Sequence, residues 1–287
     1  MTVGRSAQNG GPRPPEEDGG RALTSSGALI VQYMSGADAL REKQVIHGFW
    51  SVTGHPALVD TAASVGPDFV VVDTQHGVDL GRLDADLFTT LANYHVPGLV
   101  RVDSIAVAPI GRALDLGAAG IVVPLVESAA DAKRAVAATR YAPRGGRSYG
   151  MQTKRVGPFD EQPYVVIQVE TTGAVENIDA IAAVDGVDAL YIGPADLGLG
   201  LGGDPAPDVT RVFDGTHPNA DDLGEAFGAV VDAANAHDIV PGLHCGSGPS
   251  AAQAVGEGFR LTSVAVDLAI VGSQLAHELE VARAVGH

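Results

Sequence analysis

Residues 164–197 read YVVIQVETTGAVENIDAIAAVDGVDALYIGPADL, two apolar runs separated by an amphipathic segment. The runs at 164–170 and 189–192 are rich in β-branched and aromatic residues, which favour strands. Apart from Gln168 and the final Glu170, both runs are apolar, as in parallel strands that are covered on both faces. The segment at 175–184 has helical spacing. This stretch therefore predicts a strand–helix–strand unit with parallel strands.

The same unit recurs along the chain. The predicted strands lie at residues 45–50, 69–73, 98–102, 120–123, 164–170, 189–192, 239–243 and 261–266. The helical patterns between them lie at residues 56–64, 83–94, 109–116, 129–139, 175–184, 222–236 and 248–257. Eight such units predict an α/β fold, a single closed (β/α)8 TIM barrel. The alternative, an open doubly wound sheet, would carry Gly-x-Gly-x-x-Gly after its first strand, and this sequence lacks it.

The barrel is predicted to occupy residues 36–287 as one catalytic domain. Residues 1–35 are predicted to be a flexible, disordered tail, because most of them are Gly, Pro, Ser or charged residues that offer little to bury. One long insertion, residues 202–222, follows the sixth strand. A barrel places it on the catalytic face, where we expect a lid or a subunit contact.

Composition limits the partners. With 18 Lys and Arg against 35 Asp and Glu, the chain carries a net charge of −17, which argues against nucleic acid but not against a small anionic substrate. A single Cys excludes an intrachain disulfide framework and Cys-rich metal sites. No run approaches the roughly 20 apolar residues that span a bilayer, and no signal-peptide pattern opens the chain. We therefore expect no membrane partner and a cytoplasmic location.

Polar residues follow most of the predicted strands. TIM-barrel active sites are built at the carboxyl ends of the strands, so these residues are the candidates for a site. They are Asp73, His76, Arg101, Glu127, Gln168, Glu170, Asp196, His244 and Asp267.

Glu170 and Asp196 follow neighbouring strands, so their carboxylates can converge on one divalent cation. Two carboxylates completed by water or substrate suit Mg²⁺ or Mn²⁺, with Co²⁺ as a further candidate. The structural alternative is that either acid caps the helix that follows it.

Asp73 and His76 are spaced as a dyad, in which the carboxylate fixes the imidazole tautomer for a general base. Arg101 ends the third strand and needs an anion there. It can form a purely structural ion pair with Asp73 or Glu127, or stabilise an enolate or carboxylate oxygen.

Several short motifs in this order resemble the HpcH/HpaI aldolases, a family of metal-dependent (class II) pyruvate aldolases. The resemblance runs from about residue 37 to the C-terminus. Its markers are HGFW at 47–50, VVDTQH at 71–76, VR at 100–101, DLGAAGIVVPLVES at 115–128, ATRY at 138–141, GGR at 145–147, QVET at 168–171 and YIGPADL at 191–197.

The resemblance implies an enzyme that cleaves or forms 2-keto-4-hydroxy acids through a pyruvate enolate, with a keto acid and an aldehyde as its small-molecule partners. It implies that Glu170 and Asp196 bind the metal, that His76 with Asp73 provides acid–base function, and that Arg101 stabilises the enolate. It also implies that Gln168 and the backbone at Gly193, Ala195 and Asp196 seat pyruvate. A homo-oligomer, a hexamer with an exchanged last helix, is the implied assembly.

The chain departs from the family at Gln75, where the usual residue is Glu, so a carboxylate is replaced by an amide. Residues 202–222 and 244–249 also differ, which suggests a different aldehyde pocket; Arg147 and the 202–222 loop are candidates to touch the distal end of the substrate.

Other functions remain open. An oxaloacetate decarboxylase, or another enzyme that forms carbon–carbon bonds from the same enolate, would use the same residues. A lyase acting on a CoA thioester would need a basic groove, which the acidic composition disfavours. A non-catalytic keto-acid-binding barrel is the alternative from another class, with Gln75 as a sign of lost chemistry.

Overall fold

The computed structural model describes residues 36–78, 83–150 and 162–284. Eight parallel strands close a barrel in chain order, which confirms the predicted fold class. The strands are β1 Ile46–Ser51, β2 Phe69–Asp73, β3 Gly98–Arg101, β4 Gly120–Val123, β5 Tyr164–Val169, β6 Ala189–Ile192, β7 Val240–Leu243 and β8 Leu261–Val266. The predicted tail, residues 1–35, lies outside the described residues.

Helices surround the barrel. After α1, at residues 36–42, they are α2 Pro56–Ser64, α3 Ala85–Asn93, α4 Val107–Asp115, α5 Ala129–Thr139, α6 Thr172–Glu176, α7 Ile178–Ala182, α8 Pro194–Gly200, α9 Thr210–Phe213, α10 Ala220–Ala236, α11 Gly248–Gly256 and α12 Asp267–Ala284. Among the described residues, no helix has both the length and the apolar character needed to cross a membrane.

The side chains along each strand alternate between two apolar environments. Because successive side chains point to opposite faces, every second residue faces the inside of the barrel. Those inner residues form one core, with Phe69, Val71, Leu99, Val122 and Val166 among them. The residues between them, such as Val70, Val72 and Val100, pack outward against the helices in a second core. Ala37 and Leu40 of α1 join the inner core.

The inward-facing positions at one end of the barrel are occupied by polar side chains. Asp73 follows Phe69 and Val71 at two-residue spacing, and Arg101 follows Leu99 in the same way. Gln168 and Glu170 continue the inward series of β5 after Val166. These side chains point into the barrel at the carboxyl ends of β2, β3 and β5 because of the two-residue period of the strands.

Several helices differ from the sequence predictions. The helix predicted at 175–184 is two short helices, α6 and α7, which meet at Asn177. The helical patterns did not include α8, α9 within the 202–222 insertion, or α12 after β8, although the family resemblance implied a last helix. Asp267 is the only buried residue of α12, so no buried stripe of helical period signals this helix.

Candidate active site

A cavity of about 380 Å³ opens at the carboxyl ends of the strands. It brings together most of the residues that the sequence singled out. Those lining it are Asp73, His76, Arg101, Gln168, Gly193, Ala195 and Asp196. Glu170 is buried beside them and contacts Gln168. The remaining wall includes His244, a strand-end candidate, Pro207 of the 202–222 insertion, and Trp50 and Tyr191, which were not singled out as site residues.

Asp73 and Arg101 form a buried ion pair inside the barrel mouth. Arg101 Nε donates to Asp73 Oδ1 at 3.0 Å, and its Nη2 donates to Oδ2 in a two-point contact. Trp50 Nε1 also donates to Oδ2, at 3.2 Å. Burial alone raises the pKa of Asp73, but the hydrogen bonds and charge of Arg101 outweigh burial, so the pKa lies below its usual value. Of the two partners considered for Arg101, the structure selects Asp73 over Glu127.

His76 stands at the rim of the cavity with its side chain exposed. The hydrogen bond between His76 and Asp73 uses the backbone: His76 N donates to Asp73 Oδ1 at 3.1 Å, and Gln75 N donates to the same oxygen at 3.0 Å. Among the described residues, the side chains that donate to the Asp73 carboxylate are Arg101 and Trp50. Asp73 thus fixes the loop that carries His76, and its carboxylate is directed toward Arg101.

Glu170 is held by one backbone group and one side chain. Leu125 N donates to Glu170 Oε1 at 2.8 Å, and Gln168 Nε2 donates to Oε2. Leu125 has φ +55°, a left-handed conformation that is costly for a residue with a Cβ. The backbone after β4 is therefore strained at Leu125, the residue whose N–H group binds the Glu170 carboxylate.

Neither proposed metal-binding acid serves as a helix cap. Thr171 caps α6 by accepting from Ala174 N, and Gly193 is the N-cap of α8 with no side-chain capping bond. Asp196 lies in the first turn of α8 with its side chain exposed. Neither acid therefore forms a capping hydrogen bond, although Asp196 stands in the first turn of α8, where the helix dipole favours a negative charge.

The electrostatics fit a cation between Glu170 and Asp196. Burial raises the pKa of Glu170, the Leu125 hydrogen bond lowers it, and the negative charge of Asp196 raises it further, with a net upward shift. Gln168 Oε1 is buried without a hydrogen-bond partner among the described residues. A Cβ on Gly193 would lie 2.9 Å from Gln168 Nε2 and 3.1 Å from Glu170 Oε2, so glycine keeps this space open.

The donor set limits the kind of metal. Within the described ranges, no group of three or more His, Cys, Asp and Glu residues could hold a metal ion. A cation here would rest on two carboxylates, with substrate or water completing the shell. That arrangement suits a hard cation such as Mg²⁺ or Mn²⁺ and does not suit a structural zinc.

An aromatic wall faces the polar residues. Trp50 stacks on Tyr191 with ring centroids 5.7 Å apart and meets His244 edge-on at 4.8 Å. The Arg101 guanidinium lies over the Trp50 ring at 5.1 Å, so the wall adjoins the ion pair. His244 follows β7 and was recognised as a strand-end residue, whereas Trp50 and Tyr191 were indistinguishable in sequence from apolar core residues.

Arg147 lies away from the cavity. Its Nη2 donates to Asp115 Oδ1 at 2.8 Å, and its guanidinium lies over Tyr141 at 4.7 Å. These contacts join the end of α4 to the loop after α5. Arg147 is therefore not among the residues that line the cavity, and its observed contacts are with Asp115 and Tyr141. The 202–222 insertion does reach the cavity, through Pro207.

A second hollow, of about 510 Å³, lies at the amino ends of β5 and β6. Its charged residues include Arg41 and Arg140, which pair with Asp188 and Asp185. It is larger than the cavity at the carboxyl ends, but it lies at the opposite end of the barrel from the strand-end polar residues. Size alone therefore does not identify the site.

Comparisons with known proteins agree with the geometry. The family model described as HpcH/HpaI aldolase/citrate lyase matches residues 47–272. A 4-hydroxy-2-oxovalerate aldolase from Novosphingobium aromaticivorans is 41% identical over 168 residues, which are 55% of this chain and 64% of that protein. A hydroxypyruvate/pyruvate aldolase from Paraburkholderia phytofirmans is 31% identical over 245 residues, covering 80% of this chain and 90% of that protein. Among solved structures, an HpcH/HpaI aldolase/citrate lyase family protein from Burkholderia cenocepacia aligns with a TM-score of 0.73 and 26% identity, over 87% of this chain and 99% of that one.

Proposed function

The chain belongs to the HpcH/HpaI aldolase/citrate lyase family, and from this premise we propose that it is a metal-dependent carbon–carbon lyase that cleaves or forms 2-keto-4-hydroxy acids. The observation that carries the proposal is the convergence of Glu170, Asp196, Arg101 and His76 around one cavity. Two acids, a fixed cationic side chain and an exposed imidazole are the groups that enolate chemistry requires.

A divalent cation held by Glu170 and Asp196 would supply Lewis-acid polarisation of the keto group. Gln168 and the backbone of Gly193 and Ala195 then seat the pyruvate half of the substrate at the start of α8. The aligned backbone N–H groups at a helix start favour the substrate carboxylate there.

The protein groups divide the bond-breaking step between them. In the cleavage direction, His76 accepts the proton of the 4-hydroxyl group, and the O–H electron pair forms the aldehyde C=O bond. The C3–C4 bond breaks, and its electrons pass into the C2–C3 enolate. Arg101, held in place by Asp73, stabilises the negative enolate oxygen, and protonation at C3 gives pyruvate.

The test is incubation of metal-stripped protein with pyruvate and a panel of aldehydes, with and without Mg²⁺, Mn²⁺ or Co²⁺, and with product analysis by mass. We expect metal-dependent aldol adducts. His76→Ala should abolish cleavage and retain metal binding, whereas Glu170→Ala should weaken metal binding itself. Full activity in either variant contradicts the assignment.

The same assay with oxaloacetate alone separates the rival activities. Pyruvate formation from oxaloacetate without any aldehyde adduct would identify a decarboxylase. No turnover with any of these substrates, together with measurable pyruvate binding, would identify a keto-acid-binding barrel.

We also propose a homo-oligomer in which α12 packs on a second copy of the chain. Six apolar residues of α12 are between 41% and 58% exposed: Leu268, Ile270, Val271, Leu275, Leu279 and Val281. Exposed apolar area on this scale marks an interaction surface. Light scattering should give the mass of an oligomer, with a hexamer expected, and Leu275→Asp with Leu279→Asp should reduce it. A monomeric wild-type chain would refute this assembly.

A further inference from the structure

His244 and Tyr191 form a hydrogen-bonded pair in the cavity wall that the proposed reaction leaves unused. His244 Nδ1 lies 3.2 Å from the Tyr191 hydroxyl and 3.3 Å from Ser263 Oγ. Both His244 and Tyr191 line the cavity. Within the described part of the chain, the other ring nitrogen of His244, Nε2, has no hydrogen-bond partner.

The Ser263 hydroxyl does not donate a hydrogen bond to His244, because its proton is already used. Ser263 Oγ donates to Cys245 O at 2.7 Å and accepts from Cys245 N at 2.9 Å. Since a serine has a single O–H proton, Ser263 does not donate to the imidazole. Nδ1 therefore either accepts the proton of Tyr191 or donates its own, and Nε2 is left for a group in the cavity.

Burial favours the neutral form of both side chains. Burial, followed by the nearby Arg101 charge, lowers the pKa of His244 to about 4. Burial also raises the pKa of Tyr191 far above its usual value. A neutral imidazole offers Nε2 as a donor in one tautomer and as an acceptor in the other. A hydroxyl group can bind Nε2 in either tautomer, because it both donates and accepts hydrogen bonds. A carboxylate can bind only the tautomer in which Nε2 donates, and a neutral imidazole gives it no opposite charge.

The position of the pair points to the aldehyde half of the substrate. His244, which follows β7, meets Trp50 of β1 edge-on, so the imidazole belongs to the aromatic part of the cavity wall. The pyruvate half is assigned to the start of α8, so the aromatic wall remains for the other half. The rest of that wall is apolar, with Val52, Val266 and Pro207.

We propose that His244, oriented by Tyr191, is a specificity-determining residue that binds a hydroxyl group on the aldehyde half of the substrate. The preferred substrate class is then an uncharged hydroxyaldehyde, over an alkyl aldehyde or an aldehyde that carries a carboxylate. This inference rests on the proposed aldolase function.

The experiment compares aldehydes of nearly equal size in the addition of pyruvate. Glycolaldehyde and propanal differ by a hydroxyl against a methyl group, and glyoxylate supplies the carboxylate. The readout is the ratio of kcat/KM for glycolaldehyde to that for propanal, because intrinsic reactivity cancels when a variant is compared with the wild type. His244→Leu should lower this ratio about tenfold to a hundredfold, the range for losing one buried hydrogen bond.

Tyr191→Phe provides a variant that keeps the shape of the wall. It removes the hydroxyl that orients the imidazole and should lower the ratio by a smaller factor. His237→Leu is the matched control, because His237 pairs with Asp179 and is outside the cavity. It should leave the ratio unchanged.

A separate measurement distinguishes failure of the inference from failure of the proposed function. Metal-dependent exchange of the pyruvate methyl protons with deuterated water reports enolate formation without any aldehyde. His244→Leu should retain this exchange. An unchanged aldehyde ratio in a variant that still exchanges overturns the inference, as does a larger loss with glyoxylate than with glycolaldehyde. Wild-type protein without exchange overturns the proposed function on which the inference rests.

Discussion

Asp73→Asn tests whether the Asp73 carboxylate serves mainly to pair with Arg101 or to orient the His76 side chain. The change keeps the size of the side chain but removes its charge, and Arg101, which is 9% exposed, would then face a neutral amide. Removing one partner of a buried ion pair typically costs about 3 to 5 kcal/mol. Because the amide oxygen still accepts one hydrogen bond, we expect a loss of about 2 to 3 kcal/mol in the free energy of unfolding.

Urea denaturation at fixed protein concentration measures that loss. Trp50 is the only Trp in the chain and donates to Asp73, so its fluorescence reports on this pair directly. Two double-mutant cycles then assign the partner. The Asp73→Asn and Arg101→Gln cycle should give a coupling energy of about 1 to 3 kcal/mol, whereas the Asp73→Asn and His76→Gln cycle should give less than about 0.5 kcal/mol. The opposite order would refute the conclusion that the Asp73 carboxylate serves Arg101.

Three further predictions follow from contacts elsewhere. Asp267 accepts from Ser51 Oγ, Thr53 Oγ1 and three backbone N–H groups, and its hydrogen bonds outweigh burial and lower its pKa. Asp267→Asn should therefore destabilise the protein by about 1 to 3 kcal/mol above pH 5, and urea titrations should show the difference shrinking as the pH falls below the ordinary Asp pKa of about 3.9. Gly193→Ala should lower metal affinity and activity at least about tenfold, because the added Cβ crowds Glu170 and Gln168. Metal titration measures the change in affinity. Gly228→Ala is the control, because a Cβ there meets nothing within 4 Å, and it should change neither quantity. Arg147→Ala should lower the unfolding midpoint through loss of the Asp115 and Tyr141 contacts and leave kcat/KM unchanged; a kinetic loss without destabilisation would restore its substrate role.

The strand pattern was readable because each strand is buried on both faces. Runs such as FVVVD at 69–73 and ALYI at 189–192 are typical of strands in a covered parallel sheet, and both strands begin and end where predicted. Polar residues at the ends of these runs then identified the mouth of the barrel, since the fold fixes which end is catalytic.

Helix α12 was not readable in the same way. Its apolar residues are exposed in this chain, so no buried stripe with helical period distinguishes it. The break between α6 and α7 also depends on the surroundings, because Asn177 is bound through its side chain to Gly173 O and to Glu127 O, 50 residues away.

The sequence by itself determined the barrel, the end at which its polar strand-end residues converge, and the acids and bases that are present there, because all three follow from local period and strand order. Only the tertiary structure decided how those groups pair. In the structure the Asp73 carboxylate pairs with Arg101 instead of the His76 ring, and Arg147 pairs with Asp115. It also assembled Trp50, Tyr191 and His244, which come from three separate strand ends, into one wall. Such contacts depend on distances between residues far apart in the chain, which hydrophobic period does not encode.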